Sequence, residues 1–406
     1  MTIEPMHNIP ARGGIDYDES PFLAIWEVTQ SCDLACKHCR AAAQPIPHPD
    51  ELTHEEGKKL IDQIAEMRIP IFVFTGGDPL KRKDLFELIR YASGKGVHVA
   101  VTPSATPLLT SDQIFRMKEA GVVRLGISLD GSCPEIHDAF RGLPGAWART
   151  IQAIEWANEA GIPIQVHSTI SRHNANDLDN LCNLFEKLAI VMWNVFFLVP
   201  VGRGQLDDLL SGEEFEQVFG KIYELSRRAN FQIQTTEAMH YRRYLLQHNL
   251  EERKMGHGHP GGHPHGVAYE PGAPTADATS RNRAWATRRV NDGKGFVFIS
   301  HVGNVYPSGF LPIHAGNIRE TPLAEIYRNA PIFKALRDTS RLEGKCGACE
   351  FKEICGGSRA RAYALTGDPL AQEPCCIYQP KNWDPELEQT AEAFEHPLPE
   401  RTLVMP

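Results

Sequence analysis

The sequence predicts an α/β fold: a partial, TIM-like (β/α)6 barrel followed by a small domain rich in cysteine. Between about residues 22 and 204, short runs of β-branched and aromatic residues alternate with longer amphipathic stretches. This alternation is typical of parallel strands joined by crossover helices. Three cysteines follow the first of these runs and five lie near the C-terminus. The 42% of hydrophobic residues provides ample material for a core.

The strands and helices of the barrel can be placed in order. We predict strands over 22–29, 69–74, 97–102, 122–129, 164–170 and 194–199. The first helix is predicted to begin after Thr53, because Glu56 lies at capping-box spacing and apolar residues then recur at helical intervals. Further helices are predicted over 85–91, 111–120, 146–160 and 178–188, and one polar helix from about 212 to 253.

Composition divides the chain into five segments. We predict an N-terminal extension (1–20), the barrel core (21–205), a helical bridge with a loop rich in His, Gly and Pro (206–289), a cysteine-rich domain (290–380) and a tail (381–406). The fourth segment opens with alternating apolar residues and turn glycines, which indicate a β-hairpin. Around its histidines, the bridge has the composition of a flexible linker. The alternative is that these histidines bind a metal. These histidines are His257, His259, His263 and His265.

Charge and hydropathy exclude several classes of partner. The net charge of −9, without a long basic run, disfavours nucleic acid. The sequence has no run of about 18 apolar residues that would predict a membrane span, and its N-terminus lacks an apolar segment preceded by basic residues. We therefore expect a cytoplasmic protein without a nucleic-acid or membrane partner.

The ten cysteines fall into two clusters, with two left over. In a reducing compartment, clustered thiols are more often metal ligands than disulfides. The two remaining residues, Cys133 and Cys182, are interpreted as core cysteines. The clusters consist of Cys32, Cys36 and Cys39 near the N-terminus and of Cys346, Cys349, Cys355, Cys375 and Cys376 near the C-terminus. Their distribution predicts two metal centres.

The first cluster has the spacing CxxxCxxC directly after the first strand. Three thiolates suit three irons of a cubane and leave the fourth iron open for a ligand. A zinc site or unrelated core thiols are the alternatives. After the second strand, in the segment FTGGDPL, Gly76 and Gly77 would let the backbone approach a ligand closely, and Asp78 offers a carboxylate for an ammonium group.

These residues resemble the radical S-adenosylmethionine (radical SAM) superfamily, and the resemblance extends over about residues 22–204. It implies a [4Fe–4S] cluster on the first three cysteines, with the open iron chelated by the amino and carboxylate groups of S-adenosylmethionine. Gly76, Gly77 and Asp78 match the loop that holds the methionyl amino group. The resemblance further implies reductive cleavage of S-adenosylmethionine to a 5′-deoxyadenosyl radical, which abstracts hydrogen from an organic substrate.

Three further residues match cofactor contacts of the superfamily. Ser104, after the third strand, is placed to contact the methionyl or ribose groups, although an ordinary loop hydroxyl is the alternative. In the segment ISLDGSCPEIHDAFRG, Ser128 and Arg141 match residues that contact the ribose and the carboxylate. The alternative there is a simple turn at Asp130 and Gly131. The sequence names no catalytic acid or base.

The second cluster resembles the SPASM extension of the same superfamily. This resemblance implies an auxiliary [4Fe–4S] cluster on Cys346, Cys349, Cys355 and Cys375, with Cys376 as the alternative fourth ligand and a zinc ribbon as the alternative site. A full SPASM module holds two auxiliary clusters. Here Ser308 and Arg359 stand where two ligands of the other cluster are expected, and no cysteine lies near 291–295. We therefore predict a single auxiliary cluster.

The resemblance implies a radical SAM enzyme of the oxidoreductase or lyase type, and a tetrapyrrole or heme precursor is the favoured substrate. The hairpin segment over 295–312 is most similar to tetrapyrrole-modifying members. A maturase of ribosomal peptides or peptide-derived cofactors is one alternative. A non-catalytic iron–sulfur or zinc scaffold is the other, but it would need no cofactor loop. The expected partners are a small-molecule or peptide substrate and a reductant such as flavodoxin or ferredoxin.

Overall fold

The computed structural model describes residues 15–254 and 290–384. At its centre lies one ten-stranded sheet. In chain order its strands are β1 (Leu23–Glu27), β2 (Ile71–Thr75), β3 (His98–Val101), β4 (Val122–Ser128), β5 (Ile164–Ile170), β6 (Met192–Phe197), β7 (Gln232–Thr236), β8 (Phe296–Ile299), β9 (Asn304–Tyr306) and β10 (Gly316–Asn317). They lie in the order β10-β9-β8-β1-β2-β3-β4-β5-β6-β7.

Helices connect the strands. In chain order they are α1 (His54–Glu66), α2 (Leu85–Gly94), α3 (Ser111–Ala120), α4 (Pro134–Arg141), α5 (Ala146–Glu159), α6 (Leu178–Lys187), α7 (Gly212–Arg228), α8 (Tyr241–Lys254), α9 (Leu323–Asn329), α10 (Pro331–Arg337), α11 (Gly344–Ala348) and α12 (Arg359–Thr366). In the part of the chain that the structure describes, no helix combines the length and apolarity that crossing a membrane requires.

The predicted partial barrel is confirmed. Strands β1 to β7 are parallel and follow chain order, and the end strands β7 and β10 do not pair with each other. The six predicted strands agree with the observed ones to within two residues at each end. The capping box at Thr53 and Glu56 is also present. The strand β8 pairs in parallel with β1, so the second half of the chain continues the barrel sheet.

The prediction of one polar helix over 212–253 is wrong. The structure has the helix α7, the strand β7 and the helix α8 in this stretch. The strand β7 has the sequence QIQTT, with Ile233 as its one strongly apolar residue. The buried residues of β7 include the polar Gln234 and Thr235, so the strand gives almost no hydrophobic alternation in the sequence.

The two faces of the sheet differ in burial. In β5, the side chains of Ile164, Val166 and Ile170 are buried in the main hydrophobic core, whereas Gln165 and His167 between them are partly exposed. Successive side chains of a strand point to opposite faces, so the helices cover one face and the other lines an open interior. We call this second face the inner wall, and the candidate site lies at its carboxyl edge.

The four histidines of the bridge, with the rest of 255–289, lie outside the described residues, as do 1–14 and 385–406.

Prediction for the loop after β6. Gly202 has φ +59°, and a Cβ there would lie 2.3 Å from the carbonyl oxygen of Arg40 and 2.4 Å from that of Cys39. We expect Gly202→Ala to destabilise the fold by more than about 1 kcal/mol, because both the backbone angle and the contact disfavour a side chain. Thermal unfolding under anaerobic conditions measures the effect.

The matched control is Gly94→Ala at the end of α2, where a Cβ meets nothing within 4 Å. This change should be neutral or slightly stabilising. Equal unfolding temperatures for the two variants would contradict the close backbone contact.

Candidate functional site

The first three cysteines lie on a loop that follows β1. Cys32 and Cys36 are buried and Cys39 is half-buried. Backbone hydrogen bonds fix this loop: Cys32 N donates to Gln44 O at 2.8 Å and Arg203 N donates to Cys39 O at 2.9 Å. The structure therefore brings the three thiols together at the carboxyl edge of the sheet, where parallel α/β sheets commonly bind ligands.

The surroundings of these thiols fit an iron–sulfur cluster. Burial raises the pKa of Cys32 and of Cys36, so the thiolates need a nearby positive ion. Leu34 N donates to Cys32 Sγ at 3.4 Å, and Arg141 Nη1 lies 3.7 Å from Cys36 Sγ. Amide and guanidinium donors aimed at sulfur are what an anionic cluster requires. The donor set therefore fits the implied cluster.

The glycine loop after β2 is packed against the cysteine loop. Gly77 N donates to Thr29 O at 2.8 Å, and a Cβ on Gly77 would lie 2.5 Å from Ser31 O. A Cβ on Gly76 would lie 2.6 Å from Thr29 O. Both positions therefore require glycine for a close backbone approach between the two loops.

Asp78 is fully buried in this structure. Its carboxylate accepts hydrogen bonds from Thr106 Oγ1 at 2.7 Å and from Leu80 N at 3.2 Å. Burial raises its pKa above the ordinary value. These two hydrogen bonds hold the glycine loop in place. The loop is also held at Gly77, whose carbonyl accepts a hydrogen bond from the Ser104 hydroxyl at 2.8 Å.

The other predicted cofactor contacts lie at the same edge. The Ser104 hydroxyl is 3.7 Å from Cys32 Sγ, and Ser128 ends β4 on the inner wall. Arg141 ends α4, and its Nε donates to Asp130 Oδ2 at 2.7 Å. Although burial acts in the opposite direction, the charge of Arg141 holds the pKa of Asp130 below its ordinary value. The structure thus brings the predicted residues of this site together.

Sequence reasoning missed two side chains beside the first cluster. The His38 ring stacks on Phe140 at 4.2 Å, and burial lowers its pKa to about 3. Arg203 lies in the loop after β6, and its Nε and Nη2 are buried without a partner among the described residues. The glycines on both sides of Arg203 in the segment VPVGRG were the available signal.

A buried acid links the cysteine loop to the second half of the chain. Glu27, at the end of β1, pairs with Arg40 Nη2 at 3.0 Å and with His301 Nδ1 at 2.9 Å. The Arg40 guanidinium also lies 4.4 Å from the centre of the Phe298 ring. Its Nη1 is buried, and the described part of the chain offers it no partner. Arg40 thus retains an unused donor next to Cys39.

Aromatic side chains extend from this point across the inner wall. The rings of Phe196 and Phe310 are 6.0 Å apart, and the His167 ring is 5.4 Å from Phe196. Burial lowers the pKa of His167 to about 4, so the imidazole is neutral near pH 7. Its Nδ1 has no hydrogen-bond partner within the described ranges. The wall therefore combines apolar rings with free polar atoms.

The second cysteine cluster surrounds a cavity of about 420 Å³, part of it open to solvent. Its walls include Cys346, Cys349, Cys355 and Cys376. We call this space the auxiliary cavity. The sulfur atoms of Cys346, Cys349 and Cys355 each accept a backbone N–H, from Glu373, Phe351 and Gly357 respectively, at 3.3 to 3.4 Å. This pattern of amide donors fits a cluster held by four thiolates.

Cys375 and Cys376 have different surroundings. Cys375 is buried in the main hydrophobic core, and its thiol points at Leu210 O at 3.9 Å as a donor. Cys376 lines the auxiliary cavity, and burial raises its pKa to about 11. The two adjacent thiols therefore face different parts of the molecule.

A polar network lies where the other auxiliary cluster of a full module would be. Asp292 Oδ2 accepts hydrogen bonds from the backbone N–H groups of Arg359 and Ala360, at 3.1 and 3.0 Å. Ser308 is buried close to the same carboxylate. The Arg359 guanidinium donates to the carbonyls of Pro369 and Ala371 at 3.0 and 2.6 Å. The residues at the expected cysteine positions thus lie in a buried polar region whose hydrogen bonds are made largely with the backbone.

Among the described residues, no three His, Cys, Asp or Glu side chains are grouped closely enough to hold one metal ion. A cubane binds its cysteines through separate irons, so its ligands do not have to meet at a single point.

Comparisons with known proteins agree with this geometry. The Radical SAM superfamily model matches residues 26–185, and the SPASM model, an iron–sulfur cluster-binding domain, matches 291–350. The chain is 41% identical over 365 residues to a protein of Nitratidesulfovibrio vulgaris named AdoMet-dependent heme synthase, covering 89% of this chain and 94% of that protein. It is 30% identical over 380 residues to the Fe-coproporphyrin III synthase of Methanosarcina barkeri, covering 88% of both chains.

A solved structure supports the same fold. SuiB of Streptococcus suis, bound to its precursor peptide SuiA, superimposes with a TM-score of 0.66 at 14% identity, covering 89% of this chain and 76% of that one. At this level of identity the likeness concerns the fold alone.

Prediction for the buried ion pair. Asp130 and Arg141 are paired with the Asp130 side chain fully buried. We expect Asp130→Asn to destabilise the protein by about 3 kcal/mol or more, because it leaves the Arg141 charge buried without its counter-ion. Denaturant or thermal unfolding measures the loss. The control is Asp62→Asn, which breaks the exposed pair of Asp62 with Lys95 and should cost less than about 1 kcal/mol. Similar losses in both variants would refute the expectation.

Proposed function

Because the chain belongs to the radical SAM superfamily and carries a SPASM domain, we propose that it converts an iron-containing tetrapyrrole into heme. The observation that carries this proposal is the 41% identity to a protein named AdoMet-dependent heme synthase over almost the whole length of both chains. Identity to the Fe-coproporphyrin III synthase is lower, at 30%. The product heme therefore suits this chain better than an earlier tetrapyrrole.

A [4Fe–4S] cluster with S-adenosylmethionine, when bound, supplies a 5′-deoxyadenosyl radical that abstracts a hydrogen atom from the organic substrate. We assign Cys32, Cys36 and Cys39 to that cluster. Their sulfurs share one loop, which is fixed by backbone hydrogen bonds. The auxiliary cluster is assigned to the auxiliary cavity.

For S-adenosylmethionine we assign two groups of contacts. The carbonyl of Gly77 lies beside Ser104, whose hydroxyl is 3.7 Å from Cys32 Sγ, and this position suits the methionyl ammonium group. Gly76 permits the close approach of the two loops, and Asp78 holds the glycine loop in place through Thr106. Ser128 and Arg141 are assigned to the ribose and the carboxylate.

The inner wall suits a flat, anionic macrocycle. Phe196 and Phe310 offer aromatic surface for a tetrapyrrole ring. The free Nη1 of Arg40 suits a substrate carboxylate. A ribosomal peptide would need an extended groove, and the peptide-binding SuiB resembles this chain in fold alone.

The proposed reaction is an oxidative decarboxylation. Conversion of a propionate side chain to a vinyl group releases CO₂ and removes one hydrogen atom and one electron. The hydrogen atom would go to the deoxyadenosyl carbon, and the electron would pass to a one-electron acceptor, for which we propose the auxiliary cluster. This balance makes the enzyme an oxidoreductase with loss of CO₂. A reductant such as flavodoxin or ferredoxin would supply the electron for cofactor cleavage.

Prediction for the activity. Under anaerobic conditions, the reconstituted protein with dithionite, S-adenosylmethionine and Fe-coproporphyrin III should form heme and 5′-deoxyadenosine, detected by chromatography with mass spectrometry. Cys36→Ala should abolish both products, because it removes a proposed ligand of the cleaving cluster. Release of 5′-deoxyadenosine without any change of the porphyrin would reject the substrate. No nucleoside from cluster-loaded protein would instead favour the scaffold function.

Prediction for the auxiliary ligands. We propose Cys376 as the fourth ligand beside Cys346, Cys349 and Cys355, because its sulfur lines the cavity while the Cys375 thiol acts as a donor. The wild type should contain about eight irons, as two cubanes require. Cys376→Ser should lose about four of them, and Cys375→Ser should keep about eight. The reverse result would assign Cys375 instead, and zinc in place of iron would reject the cluster.

A further inference from the structure

His240 lies in the wall of the auxiliary cavity, in the turn between β7 and α8. Its side chain is almost completely buried, with 1% of the residue exposed. The ring packs against Phe219 at 4.8 Å and Phe215 at 5.1 Å. These neighbours are apolar, so packing alone would be served equally well by a phenylalanine.

Neither ring nitrogen of His240 has a hydrogen-bond partner in the part of the chain that the structure describes. Burying a polar group without a partner costs about 1–3 kcal/mol. The charged side chains nearby already have partners: Arg361 pairs with Glu373 at 3.1 Å, and Arg243 pairs with Glu216. The nearby ion pairs therefore leave the imidazole without a partner, at a position in the wall of the cavity.

The cavity already presents donors to three of the four sulfurs. Glu373 N, Phe351 N and Gly357 N donate to three of them at 3.3 to 3.4 Å, and Arg359 Nη2 lies 3.7 Å from Cys346 Sγ. All of these donors reach cysteine sulfurs and come from the C-terminal domain. His240 comes from the barrel half of the chain and enters the same cavity.

We propose that His240 donates an N–H hydrogen bond to the auxiliary cluster and thereby raises its reduction potential. This inference rests on the proposed cluster in the auxiliary cavity. In either protonation state an imidazole carries at least one N–H. Hydrogen bonds to the sulfurs of a cluster stabilise its more negative, reduced form, and they are one of the factors that set its potential. His240 therefore acts on the cluster as a positioning and tuning residue, not as a ligand.

The backbone of the barrel fixes the position of His240. The residue lies in the turn between β7 and α8, directly before α8, and β7 pairs with β6. The carbonyl of His240 accepts a hydrogen bond from Tyr244 N at 3.1 Å, in the first turn of α8. The backbone at this turn is thus fixed, and the imidazole is held at one place relative to the cavity.

The test measures the potential of the auxiliary cluster by EPR-monitored redox titration. The full-length chain carries Cys32→Ala, Cys36→Ala and Cys39→Ala, so that the remaining signal comes from the auxiliary site. Adding His240→Phe should lower the reduction equilibrium constant at least tenfold, a shift of 59 mV for one electron. Iron content should stay at about four per chain.

Two control variants separate the hydrogen bond from packing. Phe215→Leu changes the packing of the His240 ring without removing an N–H and should leave the potential unchanged. His240→Gln keeps an N–H donor and should retain a potential closer to that of the parent than His240→Phe does. An equal potential for the parent and His240→Phe would overturn the proposal.

The remaining outcomes are also decisive. If His240→Phe loses the cluster but His240→Gln retains the cluster with the parent potential, an N–H donor is what the site needs, and the proposal stands. If both variants lose their iron, the histidine serves as a ligand or a structural element, and the proposal fails. If the parent itself holds no auxiliary cluster, the proposed metal site fails, independently of His240.

Discussion

The site depends on one constraint: a loop without regular secondary structure must hold three thiols at a fixed place on the edge of the sheet. No helix or strand fixes Cys32, Cys36 and Cys39 relative to one another, so neighbouring loops must do it. The loop after β2 does so at Gly77, and the loop after β6 does so at Gly202, in each case through backbone atoms too close for a side chain. The carboxyl ends of β1, β2 and β6 are therefore locked together.

This constraint also explains the buried acid beside the loop. Glu27 joins Arg40, which follows the third cysteine, to His301 of the hairpin turn. Without Arg40 or His301 the buried carboxylate would lack a counter-ion or a donor, which is costly in an apolar interior. The cysteine loop is thus attached to the β8–β9 hairpin, whose strand β8 pairs with β1. The two halves of the chain share one sheet and one charge network.

The sequence predicted those features that are local. Both ends of strand β5 were predicted correctly, because the apolar residues that face the helices alternate with polar residues along the strand. The cysteines and glycines of the first site were predicted from spacing within short segments. Arg203, His38 and the pairing of Glu27 with His301 were missed, because their partners are distant in sequence. Strand β7 was missed because an end strand with a polar composition carries no hydrophobic period.

The C-terminal domain shows what replaces a metal site that is absent. Where a full module has cysteines, Asp292, Ser308 and Arg359 form a buried network. A buried carboxylate is tolerable only when its lone pairs are satisfied, and the backbone N–H groups at the start of α12 satisfy it. Arg359 is the first residue of α12, and its Nη2 lies near Cys346 Sγ. The network thus joins the start of α12 to Asp292 and brings the Arg359 guanidinium to the auxiliary cavity.

Adjacent thiols show why spacing alone cannot assign the last ligand. Cys375 and Cys376 are adjacent in sequence, but they lie at a turn closed by the hydrogen bond from Cys376 N to Glu373 O at 3.2 Å, and their sulfurs have different surroundings. The Cys375 thiol lies in the core and donates toward Leu210 O, a role that needs its proton. Cys376 instead lines the cavity together with Cys346, Cys349 and Cys355, a position that suits a thiolate ligand. A ligand must give up its proton to bind iron, so the surroundings of each sulfur, which the sequence does not contain, favour Cys376.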